Sequence, residues 1–136
     1  MAVVITGKYT GDLRCEATHG PSGSTLTTDA PADNMGRGEM FSPTDLVATA
    51  LGTCIVTTMA ILAERRGIDL SSATFHVEKH MVLEPVRRIG RLPVTIRMSA
   101  AIPAEHRVLL ERAAHTCPVH KSLHPDVEAP ISFVYE

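Results

Sequence analysis

The chain has 136 residues, 44% of them hydrophobic and 21% charged, a length and balance that suit a single compact domain spanning 1–136. The formal net charge of −2 provides no broad positive field, which argues against phosphate-driven nucleic-acid binding. Three cysteines without a CxxC pair do not make a secreted disulfide framework, and MAVVITGKYTGD lacks the regions of a signal peptide, so a cytoplasmic protein with reduced thiols is expected.

The first thirty residues are rich in Thr and β-branched residues and are interrupted by Gly7, Gly11 and Gly20-Pro21-Ser22-Gly23, which predicts two or three antiparallel strands. Along Leu13-Arg14-Cys15-Glu16-Ala17-Thr18 apolar and polar residues alternate. Arg14 and Cys15 therefore point to opposite faces, and Cys15 is expected to pack on the core face with Leu13 and Ala17. Residues 29–41, DAPADNMGRGEMF, read as a loop that ends at a strong helix start. Ser42 suits the N-cap, Pro43 the first helical position, and Asp45 completes an S-x-x-D capping box.

From Leu46 to Arg66 the helix is apolar almost all round, which predicts burial on most sides, although no uninterrupted apolar stretch is expected to reach membrane-spanning length. Arg65, Arg66 and Gly67 supply the cations and the glycine of a helix end. Residues 73–84 and 93–101 alternate as strands, with Phe75, Val77, Met81 and Leu83 on one face of the first. A hairpin turn is expected around Arg88-Ile89-Gly90-Arg91, with Arg87, Arg88 and Arg91 as solvated charges. Pro103 opens a second helix over about 104–116, Leu109, Ala113 and Cys117 share one stripe of it, and Pro118 stops or bends it. Residues 130–135, PISFVY, read as a last strand.

A cysteine in an apolar helix, such as Cys54, is more often a small hydrophobe than a nucleophile. Cys117 lies among His115, His120, Lys121 and His124, cations that favour a thiolate, while a helix C-terminus disfavours one. His115, Cys117, His120 and His124 can also be read as zinc ligands, but their spacing is not that of an established finger or ribbon.

The run Phe41-Ser42-Pro43-Thr44-Asp45-Leu46 through Leu51-Gly52-Thr53-Cys54 resembles the helix-opening signature of the OsmC/Ohr family, in which Pro and acidic residues precede an Ala/Leu/Gly-rich run ending in a reactive cysteine. Cys117-Pro118-Val119 resembles the family's second-cysteine motif. The resemblance implies an α+β fold with antiparallel sheets packed around a long central helix, and an intertwined homodimer with its active site at the subunit interface. It also implies a thiol-dependent peroxidase for organic hydroperoxides, with hydrogen peroxide as a further candidate substrate, in which Cys54 forms a sulfenic acid, Cys117 condenses with it to a disulfide, and an external dithiol reduces the pair. No cofactor, metal or membrane partner belongs to this expectation.

In the Ohr branch an arginine from the N-terminal strands holds the thiolate and is itself held by an acidic residue. Arg14 is the nearest match and Arg37 the alternative. Ohr proteins carry Glu where this chain has Thr44, whereas Asp45 matches the adjacent acidic position of OsmC-like members, and this places the chain nearer that branch. Nine helical residues advance about 13.5 Å, so Asp45 does not touch Cys54 within one helix and is expected to act mainly as a cap. The competing reading is an OsmC-like ligand-binding or redox-sensing protein with little peroxidase turnover.

Overall fold

The computed structural model describes residues 1–136 and divides them into two compact units, Met1–Leu46 and Val47–Glu136. The first unit holds an antiparallel sheet of β1 (Ile5–Gly11), β2 (Arg14–His19) and β3 (Thr25–Thr27), in that order. Gly7 lies inside β1 rather than interrupting it. The break falls at Gly11, Asp12 and Leu13, whose φ angles of 91°, 53° and 62° turn the chain back so that Arg14 opens β2.

From Leu13 to Glu16 the inward sense is the reverse of the expectation, while Ala17 is half-buried like its neighbours Glu16 and Thr18. Cys15 and Leu13 are exposed, while Arg14, Glu16 and Thr18 are half-buried. The physical reason lies in the loop that follows β3, where Asp29 is fully buried and draws the Arg14 guanidinium inward.

The second unit is built on most of α1 (Pro43–Arg66) and on the sheet β4-β7-β8, formed by Thr74–Val77, Val94–Met98 and Ile131–Tyr135. β7 runs antiparallel to β4 and parallel to β8. It is the middle strand, and Val94, Ile96 and Met98 are buried in one cluster with Leu51, Ile55, Met59 and Ala63 of α1. Those α1 residues recur every four positions and so form one stripe. Ala50, Thr53, Thr57 and Ile61 lie exposed on another face, so the chain by itself covers one side of the helix rather than most of it.

By length and composition alone α1 is apolar enough to cross a membrane, contrary to the expectation, because the Thr and Gly interruptions still leave an 18-residue window with mean hydropathy 2.1. Its buried stripe is nevertheless committed to the cluster with β7.

The helix ends are where the sequence places them. Ser42 N–H donates to Asp45 Oδ2 at 2.9 Å and Asp45 N–H donates to Ser42 Oγ at 3.1 Å, a reciprocal capping box. At the other end Gly67 has φ 68°, Ile68 N–H donates to Ala63 O and Gly67 N–H to Glu64 O, which is a Schellman closure.

The expected hairpin is divided. β5 (His80–Val82) pairs with β6 (Arg88–Arg91) in a separate two-stranded sheet, so Arg88 to Arg91 form a strand and the reversal lies before them. Gly90 allows this pairing, since a Cβ there would sit 2.6 Å from Val82 Cγ1. Phe75 and Leu83 are exposed in the chain, against the expectation of a shared inner face.

The second helix, α2, spans Ala104–Ala114, and its buried stripe is Leu110 and Ala114 followed by buried Cys117, one residue out of step with the expected Leu109 and Ala113. Pro118 does more than stop it. It occupies the start of a short third helix, α3 (Pro118–Ser122), for which Cys117 is the N-cap.

Candidate active site

Cys54 sits on α1, half-buried and packed against the core cluster, while Cys117 is fully buried between α2 and α3. The fold brings the two together: Cys54 packs against the core cluster that contains Cys117, and hydrogen bonding from the Cys117 side chain favours the Cys54 thiolate. Val119 N–H, in the first turn of α3, donates to the same sulfur. Thr58, one helical turn along α1, places Oγ1 3.9 Å from Cys54 Sγ. The Cys117 sulfur in turn accepts from His120 N–H at 3.5 Å.

These contacts split the ionisation of the pair. Burial pushes the Cys54 thiol up, but the hydrogen bonds from Cys117, Val119 and Thr58 outweigh it and leave Cys54 below the ordinary thiol value. Burial also pushes Cys117 up, and because its proton is engaged with Cys54 it stays above the ordinary value despite the His120 amide. The arrangement therefore holds one thiol ready to ionise and a second thiol, still protonated, against it.

Three of the histidines read as zinc ligands are placed otherwise. His120 Nε2 is 3.0 Å from Ala129 O, His124 Nδ1 accepts from Asp126 N–H at 3.0 Å, and His115 stands edge-on to Phe133. His115, Cys117, His120 and His124 do not gather as a metal-ligand group.

Arg14 belongs to a polar network in the first unit. Its Nη2 contacts Glu39 Oε1 at 2.6 Å and Asp29 Oδ2 at 3.4 Å, and Glu39 N–H donates to the same Asp29 oxygen at 3.0 Å. Arg37 lies more openly, with Nη1 3.9 Å from Glu39 Oε1. Asp29 Oδ1 and Arg14 Nε are buried without a protein partner. The acidic residues that hold Arg14 are thus Asp29 and Glu39, which the sequence had hidden in an irregular loop. Their signal there was no more than two of three carboxylates, Asp33 being the third, among six Gly, Pro, Ala and Asn residues. Asp45 serves Ser42 at the helix start, and the Thr44 hydroxyl lies 3.1 Å from Ser42 Oγ.

Comparison with known proteins bears on the whole chain. The family model described as OsmC-like protein matches residues 36–131. A structure described as a putative osmotic stress induced and detoxification response protein from Psychrobacter arcticus is 39% identical, with 95% of this chain and 93% of that one covered and a TM-score of 0.88. An organic hydroperoxide resistance protein OsmC from Legionella pneumophila, at 15% identity, covers 98% of this chain and 97% of its own with a TM-score of 0.77. The organic hydroperoxide resistance protein OhrB of Bacillus subtilis, at 16% identity, covers 98% of each chain with a TM-score of 0.69. No protein of curated function matches significantly. The α+β arrangement of small sheets and few helices is that of OsmC and Ohr proteins, and the chain belongs to the OsmC family.

Proposed function

We propose that this chain is a thiol-dependent peroxidase that reduces organic hydroperoxides. The observation that carries the reading is the packing of Cys54 against the cluster that holds Cys117, in surroundings that lower the ionisation of Cys54 and raise that of Cys117. The Cys54 thiolate attacks the terminal peroxide oxygen, the O–O bond breaks, and the alkoxide leaves and takes a proton to become an alcohol. Cys54 is then a sulfenic acid. Cys117 attacks its sulfur, a disulfide forms and water departs; an external dithiol returns both cysteines to thiols by exchange and is itself oxidised. Cys117 is the thiol placed for the second step, since it lies in the cluster against which Cys54 packs.

The family resemblance assigns the thiolate-holding cation to Arg14, which Asp29 and Glu39 orient, with Arg37 as the alternative and Asp45 as the cap of the helix that carries Cys54. The same resemblance supports a homodimer with α1 at its centre, and the charge balance and cysteine usage support work in the cytoplasm without nucleic-acid or membrane partners. A second reading, a redox-sensing or ligand-binding protein, draws on Thr44 in the place where Ohr proteins carry Glu. Turnover separates the two.

With a dithiol reductant and cumene hydroperoxide, the wild type is expected to turn over repeatedly and Cys54→Ser to lose essentially all consumption. Mass spectrometry of the oxidised wild type should find Cys54 joined to Cys117. Consumption that stops near one peroxide per thiol pair favours the sensor, and full turnover by Cys54→Ser sinks the peroxidase reading.

A further inference from the structure

α1 carries two hydroxyls near the candidate nucleophile that are used differently. Thr53 Oγ1 donates back to Thr49 O at 2.8 Å and also reaches Ala50 O at 3.2 Å, the ordinary fate of a threonine inside a helix. Thr58 Oγ1 instead lies 3.9 Å from Cys54 Sγ, one turn away on the same side of the helix. Thr58 is half-buried and Cys54 packs on the core, so bulk water is a poor substitute for this contact.

We propose that Thr58 is a positioning residue for the reaction of Cys54, its hydroxyl donating to the sulfur and holding the thiolate in one orientation through the catalytic cycle. The assignment rests on Cys54 as the reacting thiol. Between two neutral groups either atom can be the donor, but a thiolate only accepts. Ionisation therefore fixes the direction as Thr58 O–H to Cys54 Sγ and makes the bond charge-assisted, which shortens it.

The donors to Cys54 differ in how long they last. Cys117 faces Cys54 as the other titratable group, and its proton is lost when it enters the disulfide. Val119 N–H comes from α3, the helix that Cys117 itself caps. Thr58 shares the helix of Cys54 and stays one turn away from it, so it is a side-chain donor that no step of the reaction consumes. The hydrogen bond also accounts for part of the lowered ionisation of Cys54.

The test follows the ionisation of Cys54 directly, without peroxide. Wild type, Thr58→Val and Thr58→Ser are alkylated with iodoacetamide across a pH series, and peptide mass spectrometry reads the extent at each cysteine. Valine keeps the shape of threonine and removes the hydroxyl, whereas serine keeps the hydroxyl.

The Cys54 midpoint is expected to rise by about one pH unit in Thr58→Val, the scale of one hydrogen bond to a charged group, and to return to the wild-type position in Thr58→Ser. Cys15, exposed on β2, is the internal control for alkylation in all three proteins. An unmoved midpoint in Thr58→Val, or equal shifts in the Val and Ser variants, overturns the proposal. Its failure is distinct from failure of the peroxidase reading: Cys54→Ser decides the latter by turnover, whatever Thr58 does to the titration.

Discussion

Cys54, half-buried, and Cys117, buried, are the same residue type, yet their surroundings move them in opposite directions. Both lose solvation, but Cys54 receives three hydrogen bonds on sulfur and Cys117 gives its proton away to one of them. For an acid whose folded value is lowered, the reactive anion appears at a lower pH than in the unfolded chain; for one that is raised, it appears later. In alkylation under reducing conditions, Cys54 should therefore react at pH values below the ordinary thiol range, and Cys117 should lag behind it. Simultaneous modification of both would contradict the split. A second residue-scale expectation concerns Asp29, which is 0% exposed and accepts from Arg14 and Glu39 N–H. Replacing Asp29 with Ala removes the buried carboxylate that turns Arg14 inward and should destabilise the protein by about 2 kcal/mol, read as a lower midpoint in urea. Neither partner of this network stands out in the sequence, because a buried and an exposed aspartate look alike in a Pro- and Gly-rich loop.

At the scale of elements, α1 was legible at both ends because capping is local chemistry. Ser42, Asp45 and Gly67 act within four or five residues of the backbone groups they satisfy. Ser42→Ala breaks the box and should cost about 1 kcal/mol in an unfolding measurement, with Ser42→Asp recovering most of it. A stability change near zero would mean that the helix start is held by packing alone. The strands were less legible. β7 shows the alternation of a strand with one side in the core, and Val94, Ile96 and Met98 are indeed buried. Arg88 to Arg91 carry the composition of a turn, yet they form β6 because Gly90 admits Val82 and Glu128 N–H donates to Gly90 O. The parallel pairing of β8 with β7 likewise joins segments more than thirty residues apart, which no local pattern announces.

At the scale of the molecule, the chain leaves much apolar surface uncovered. In the first unit Val3, Val4, Ile5, Tyr9, Leu13 and Leu26 are exposed, and in the second Ile61 of α1 and Phe75 of β4. Surface of this kind is what a second subunit buries. Sedimentation equilibrium is expected to find twice the 14.7 kDa chain mass at micromolar concentration, as the proposed homodimer requires. A stable 14.7 kDa monomer would remove the dimer from the proposal.

The sequence by itself determined the features that short-range rules govern: an α+β order of elements, the caps of α1, the alternation of β7, and the two cysteine-bearing segments that mark the family. Only the tertiary structure decided what those cysteines touch. Cys54 and Cys117 lie far apart along the chain, and their approach depends on α2 ending at Ala114 and α3 restarting at Pro118, so that a buried sulfur caps the new helix within the cluster against which Cys54 of α1 packs. The same holds for Arg14, whose partners come from a loop without periodicity. Hydrogen bonds to a sulfur and burial of a carboxylate are fixed by packing between distant segments, whereas a cap or an amphipathic stripe is written within one or two turns of the chain.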